Sequence, residues 1–343
     1  MTKVEWTRND DGSEGKNLNF ADGCERISEG CLNCYISRTM PMLFAGRKFS
    51  GPDIGDSLPV QLYRHRLREP LRTKAPTRWF VNSTGDTFHD DVPTELIAAA
   101  FSMMAAAPRH TFILPTKRPA RMRTLLNSPQ FRDMIAAAAA ADPEHIHPGD
   151  VTGDYWPIPN LWLGVSTENQ KWARNRIPQL LDTPAARRFI SAEPLLGPLD
   201  LTPWLPSPGH TRGGPYLDWV IYGGETGGTK ARPMHPDWIR AVRDQTAAAG
   251  VPQHFKQWGD WAPHQPTTWP LGDEWKHPHR HRWVDPHTGT SKPFDAFTGL
   301  DNHNHALMHR VGKKTAGRHL DGRIWHQFPP NTTPHTTTEH RLG

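Results

Sequence analysis

The residues with the most informative spacing are three cysteines confined to one short segment, Cys24-x6-Cys31-x2-Cys34, with Gly23 and Gly30 before the first two and Tyr35 after the third. An odd, clustered set cannot form a disulfide framework, and it predicts reduced thiols in a cytosolic setting. Thiols gathered this closely serve a metal or a redox reaction, and the Cys31/Cys34 pair has the spacing that lets two sulfurs bind one centre. Three uses compete. A structural zinc ion needs a fourth ligand, yet the nearest histidines, His65 and His89, do not follow at zinc-finger spacing. A dithiol redox pair leaves Cys24 unused. A [4Fe–4S] cubane on three thiolates leaves one iron open to a small molecule, which accounts for three cysteines and not four.

Such a centre needs a scaffold, and between residues 17 and 258 the chain alternates β-type and helix-type runs. Short stretches rich in Val, Ile, Phe or Trp at 18–21, 79–83, 111–115, 161–166, 188–192, 219–223 and 253–257 are each followed by polar or glycine residues, as buried parallel strands are. Helices are predicted over 94–107, 120–127, 170–181 and 237–249. Pro93, Pro119 and Pro236 sit just before three of them, where a missing N–H costs nothing. The alternation implies right-handed βαβ units. With no dinucleotide fingerprint, the expected fold is α/β, an incomplete parallel (β/α) barrel of about six to seven strands. The barrel is expected over residues 1–259, with a helix end plus a surface insertion at about 136–159 where an alanine run gives way to Pro, Gly and Asp. Beyond 260 periodicity fades, and 13 of the 20 histidines lie in 254–343, so an irregular Pro/Trp/His-rich lid is expected over 260–330 and a flexible tail over 331–343.

In parallel α/β architectures the C-terminal ends of the strands share one face, so whatever follows each run converges on one mouth. Asp22-Gly23-Cys24 follow the first run, Asn82-Ser83-Thr84-Gly85-Asp86 the second and Thr116-Lys117-Arg118 the third. The others end in Ser166-Thr167-Glu168-Asn169, Ser191-Ala192-Glu193-Pro194, Gly223-Gly224-Glu225 and Lys256-Gln257-Trp258. Any one cluster could simply cap the next helix, as Ser166, Thr167 and Asn169 could. Seven in register are harder to explain that way, because polar groups on a partly buried rim are costly unless used. Lys256, Glu193 and Glu225 are candidates for proton transfer at the mouth. Lys117, Arg118, Gln257 and Trp258 are candidates for substrate contact.

Composition narrows the partners. No run approaches the roughly 18–20 apolar residues of a membrane span. The first residues, Met1-Thr2-Lys3-Val4-Glu5-Trp6, lack an apolar segment, so no signal peptide and a cytoplasmic location are expected. A formal charge of +5 and a pI of about 9.2 lean towards a polyanion. Arg64, Arg66, Arg68, Arg72, Lys74 and Arg78 form one basic stretch, and Lys117, Arg118, Arg121 and Arg123 another. Pairs four apart could follow a phosphate backbone, or simply face solvent. Trp258, Trp261, Trp269, Trp275 and Trp283 lie among His and Arg, a pattern that suits base stacking or a lid packed on the barrel. His277, His279 and His281 alternate along an extended segment and are candidate zinc ligands.

Several of these stretches together resemble the phage three-Cys-motif proteins, a radical-S-adenosylmethionine-like family. They are Gly23-Cys24 through Cys31-Leu32-Asn33-Cys34-Tyr35, Phe80-Val81-Asn82-Ser83 with Asp86, Thr116-Lys117-Arg118-Pro119, Leu163-Gly164-Val165-Ser166 with Glu168-Asn169, Ser191-Ala192-Glu193-Pro194 and Phe255-Lys256-Gln257-Trp258-Gly259. The resemblance covers most of the chain. It implies that Cys24, Cys31 and Cys34 ligate a [4Fe–4S] cluster whose open iron chelates S-adenosyl-L-methionine. Tyr35 would then lie near the adenine, Asn82, Ser83 and Asp86 near the methionine moiety, and Ser166 and Glu168 near the ribose or carboxylate. The loop between the first two cysteines, six residues long, is longer than in most radical enzymes. The implied protein is a phage or prophage product in a bacterial host. It would modify or repair a nucleic acid or nucleotide, with an external one-electron donor and a methyltransferase-like partner protein. The competing expectations are a zinc-stabilised, non-enzymatic nucleic-acid-binding protein and a radical enzyme acting on a small metabolite.

Overall fold

Apolar runs of five or six residues without polar interruption need cover on both sides, and here they become the central strands of a layered sheet. The structure, a computed structural model, describes residues 4–39, 42, 45–144, 146, 151, 155–207, 215–264, 277–294 and 304–330. The expected tail over 331–343, part of the expected insertion, and Trp269 and Trp275 lie outside the described residues. In chain order the strands are β1 (Lys16–Leu18), β2 (Ala21–Glu25), β3 (Ser57–Leu62), β4 (Arg78–Val81), β5 (Thr111–Thr116), β6 (Leu161–Ser166), β7 (Arg187–Ala192), β8 (Trp219–Gly223) and β9 (Gln253–Gln257). Seven of them form one parallel sheet in the order β1-β4-β5-β6-β7-β8-β9. The connecting helices are α1 (Arg68–Arg72), α2 (Thr94–Ala105), α3 (Pro119–Asn127), α4 (Pro129–Ala140), α5 (Gln170–Leu181) and α6 (Pro236–Ala248). The first and last strands do not pair, so the curled sheet is an incomplete α/β barrel.

Alternation along each strand divides the core between two faces. Leu114, Leu163, Val165, Ile190, Val220 and Phe255 pack with the helices, among them Ile97, Phe101, Ile177, Leu180 and Ile239. The other face carries Trp6, Phe80, Ile113, Trp162, Phe189, Trp219 and Ile221. Trp219 is fully buried, its ring 5.8 Å from that of Trp162 and edge-on to it. Among the described residues no helix is long and apolar enough to cross a membrane.

Two expectations need correcting. The first strand does not run over 18–21. It stops at Leu18, and after a two-residue break the chain enters β2, which pairs antiparallel with β3 outside the main sheet. The break is fixed by Asn82, whose Oδ1 accepts the Ala21 N–H at 3.1 Å, and by Gly23 N–H donating to the Thr84 carbonyl at 3.0 Å. The alanine run over 136–140 is, as expected, a helix end; it closes α4, which begins at Pro129 with the Ser128 hydroxyl accepting the Phe131 N–H. The C-terminal region is not wholly irregular. It contains β10 (Trp261–Pro263), β11 (His281–Val284), β12 (Ser291–Pro293) and β13 (Ala306–Arg310), paired antiparallel in the order β10-β13-β11-β12. Asp260 ties this sheet to the barrel. Its Oδ2 accepts the Gly227 and Gly228 N–H groups at 2.6 Å each, and its Oδ1 accepts that of Lys313 at 3.0 Å.

Candidate metal centre at the barrel mouth

The cysteine segment is shaped by glycines and short turns. Cys24 lies on β2 beside a register shift, and Gly23 before it has φ of +91°. A Cβ at Gly23 would stand 2.3 Å from the Pro59 carbonyl oxygen, so this position requires glycine. Cys31 ends a 3₁₀ turn, its N–H donating to the Ser28 carbonyl at 2.9 Å, and Cys34 N–H donates in turn to Cys31 at 3.1 Å. Cys31 is buried and the other two are half-buried. The three thiols are neighbours electrostatically. Burial, then the Asp86 carboxylate, pushes Cys24 up to about 12, with Cys31 adding to the rise. Burial and Cys31 raise Cys34 as well. Their sulfurs are nevertheless not drawn together to within 4.8 Å as a set; among the described residues only a histidine triad elsewhere meets that spacing.

Two cations from the end of β5 flank the thiols. Arg118 Nη1 lies 3.6 Å from Cys24 Sγ and 3.4 Å from Asp86 Oδ2, and Nη2 lies 3.6 Å from Glu25. Asp86 is buried and also accepts from Thr116 Oγ1 at 2.7 Å, Lys117 N–H at 2.9 Å and Phe88 N–H at 3.0 Å. Lys117 Nζ lies 3.4 Å from Glu168, which is fully buried. Burial works against the Lys117 charge, but Glu168, Cys31 and Cys34 outweigh it and raise its pKa. Burial likewise disfavours the Glu168 carboxylate, yet Lys117, Arg176 and the Ser28 hydroxyl hold it below the usual range. Ser28 Oγ donates to Glu168 at 2.7 Å and Arg176 Nη1 donates at 2.9 Å. A Cβ on Gly30 would stand 2.4 Å from Glu168 Cγ. The carboxylate is therefore the post on which the cysteine segment rests.

The remaining expected site residues divide into those at the mouth and those that brace it. Lys256 Nζ donates to both oxygens of Glu193 at 2.7 and 2.9 Å, and Gln257 Nε2 reaches the same carboxylate at 3.3 Å. Tyr35 leaves its ring about half exposed while its hydroxyl turns inward to donate to the Ser83 carbonyl. Ser83 Oγ donates to Asn19 at 3.1 Å. Asn82, at φ of +50°, spends its side chain on Ala21 and Thr87, and the Ser166 carbonyl accepts from Arg176 at 2.8 Å. Glu225 is not placed for proton transfer. It is buried, and it accepts from Asn33 Nδ2 at 3.0 Å and Arg232 Nε at 2.9 Å, clamping the cysteine segment to the loop after β8. Gly224 is not open to a ligand either, since a Cβ there would lie 1.9 Å from the Trp258 carbonyl oxygen. Trp258 itself is packed in the core with its indole N–H on the His319 carbonyl at 2.8 Å, so its ring is not offered for stacking.

Residues 1–329 match the family described as "Protein of unknown function (DUF5131)". The chain belongs to that family. Among solved structures, spore photoproduct lyase complexed with dinucleoside spore photoproduct is similar at 10% identity, over 90% of this chain and 72% of that one, with a TM-score of 0.34. A spore photoproduct lyase mutant with bound AdoMet and dinucleoside spore photoproduct is similar at 11% identity, over 86% and 72%, with a TM-score of 0.32. No curated protein matches the sequence.

Several residues of this family member's site carry no sequence signal of their own. Ser28 and Asn33 stand out only through partners far along the chain, Glu168 at 140 and Glu225 at 192 residues' distance, while Arg176 and Arg232 bind the same two carboxylates from eight and seven residues away. The basic stretches are also partly consumed internally. Arg78 is buried against Asp10, and Arg121 donates to the Val92 carbonyl at 2.8 Å.

Proposed function

We propose that this protein is a radical S-adenosylmethionine-type enzyme that holds a [4Fe–4S] cluster on Cys24, Cys31 and Cys34 and modifies or repairs a nucleic acid or nucleotide. The observation that carries the reading is the set of three thiols at the mouth of an incomplete barrel with Lys117 and Arg118 beside them. Three thiolates would leave one iron of a cubane open, and Lys117 and Arg118, themselves paired with Glu168 and Asp86, place positive charge beside a half-buried, thiol-rich site. Bound there, the cluster with S-adenosylmethionine supplies one-electron cleavage of the sulfonium to a 5′-deoxyadenosyl radical.

The chain's own residues supply position and dryness. Glu168, anchored by Arg176, fixes the turn that presents Cys31. Glu225, through Asn33, fixes the stretch before Cys34. Tyr35 covers the mouth on one side, and the Glu193–Lys256 pair with Gln257 offers it a partly exposed proton donor and acceptor. A nucleotide substrate is supported by the net positive charge. Arg64, Arg72 and Lys74 remain exposed to meet phosphates. The electron comes from an external donor, and a methyltransferase-like protein is the partner proposed.

The test is anaerobic reconstitution with iron and sulfide, then reduction in the presence of S-adenosylmethionine. The unaltered chain is expected to take up about four iron and release 5′-deoxyadenosine, and Cys31→Ala to do neither. No iron uptake, with zinc that is lost in C24S/C31S/C34S, would overturn the reading in favour of a zinc-stabilised binding protein.

A further inference from the structure

Far along the chain from the cysteines, the C-terminal sheet gathers three imidazoles. His281 on β11 and His309 on β13 are paired directly across the two strands, and their rings stack with centroids 4.2 Å apart and planes at 22°. His264 follows β10. Its N–H donates to the Leu307 carbonyl at 2.8 Å, which holds its ring 5.2 Å from that of His281 and 5.6 Å from that of His309. One ligand nitrogen from each lies within 4.8 Å of the other two, the one group of three or more such His, Cys, Asp or Glu atoms among the described residues.

We propose that His264, His281 and His309 form a second metal site, independent of the cysteines, that takes a zinc-class divalent ion. Tetrahedral zinc on imidazoles places nitrogens about 3.3 Å apart, so small rotations of the half-exposed His264 and His309 rings close the set. Nitrogen-only ligation selects zinc, nickel or copper over magnesium or calcium, which want oxygen. His281 is buried, and its Nδ1 lies 3.2 Å from the His277 carbonyl. Donation there fixes the tautomer with Nε2 as the ligand atom, the outer-shell arrangement that metal-bound histidines use. Arg282, next to His281, is directed to Ser291 Oγ and its carbonyl at 3.0 and 2.9 Å. Among the described residues three side chains supply the ligand set.

The site also redraws the sequence expectation. His277 and His279 do not join His281 at the metal; His277 contributes its carbonyl, and the other two ligands come from strands that only the fold brings near. An ion here staples three of the four strands of a sheet whose members are only three to five residues long.

The test uses the full chain with C24S/C31S/C34S, which removes the thiols, titrated with Zn²⁺ against a chromophoric chelator and, separately, with Co²⁺. One ion per chain is expected, with cobalt d–d bands and no thiolate charge-transfer band. Half-exposed His264→Ala and buried His281→Ala should each weaken binding by about tenfold or more, while His277→Ala and His279→Ala leave it unchanged. Absence of saturable one-to-one binding would overturn the proposal, as would affinity indifferent to His264→Ala in a chain with unaltered circular dichroism.

Discussion

Arg118 Nη1 stands 3.6 Å from Cys24 Sγ, so the first thiol of the motif and the first helix after β5 share one electrostatic contact across 94 residues of chain. The same guanidinium touches Asp86. That carboxylate keeps three other donors, so Arg118 is poised to serve the sulfur and is not needed to satisfy the carboxylate.

Arg118→Met should accordingly cost only about 1–2 kcal/mol of stability in urea unfolding, while iron retained after reconstitution falls well below that of the unaltered chain. Arg123→Ala, on the helix that Arg118 caps and paired with exposed Asp182, should change neither. Equal iron retention in both variants would detach Arg118 from the metal.

Glu168→Gln addresses the post beneath the cysteine segment. Removing the charge leaves Lys117 and Arg176 buried without their counter-ion, and breaking a buried pair in this way costs about 3–5 kcal/mol. A urea midpoint close to that of the unaltered chain would show that the network is not what holds the fold at this point.

Gly30→Ala tests the same contact sterically. The added methyl would meet Glu168 Cγ at 2.4 Å, and because that side chain is pinned by three partners it cannot swing away. A loss of about 1–3 kcal/mol is expected, together with reduced iron uptake.

How much of this was legible in the sequence depends on whether a feature is local. The strands were, because runs such as Leu161–Ser166 and Trp219–Gly223 are buried on both faces and so uninterrupted. The convergence of Asp86, Lys117, Arg118 and Glu168 followed from parallel topology alone. The antiparallel C-terminal sheet was not legible: its strands are short, mix His, Pro and Trp, and gain order only from partners tens of residues away. Glu225 read as a reactive carboxylate because nothing near it in sequence announces Asn33 as its partner. The helix from Pro129 was legible at its alanine end, while its start, Ser128 before Pro129, was a signal left unread.

His254 gives a pH prediction. It lies on β9, fully buried, with neither ring nitrogen hydrogen-bonded among the described residues, and burial, then His326, Arg318 and Lys256, lowers its pKa well below 6.5. The folded chain keeps it neutral while the unfolded chain takes up a proton below pH 6.5, so its contribution is present above that value and declines as pH falls. The expected loss is about 1.4 kcal/mol by pH 5.5. Urea midpoints at pH 7.5 and 5.5 measure it, and His254→Phe should shrink the dependence to what His89, His110, His235 and His326, whose pKa values are also lowered, still contribute.

Electron paramagnetic resonance of the anaerobically reconstituted, reduced chain reaches the central claim most directly, because it reports both the cluster and its open corner. A cubane signal whose shape changes when S-adenosylmethionine is added, and which is lost in Cys34→Ala, is the predicted result. A signal indifferent to S-adenosylmethionine, or no cubane signal at all, would contradict the account.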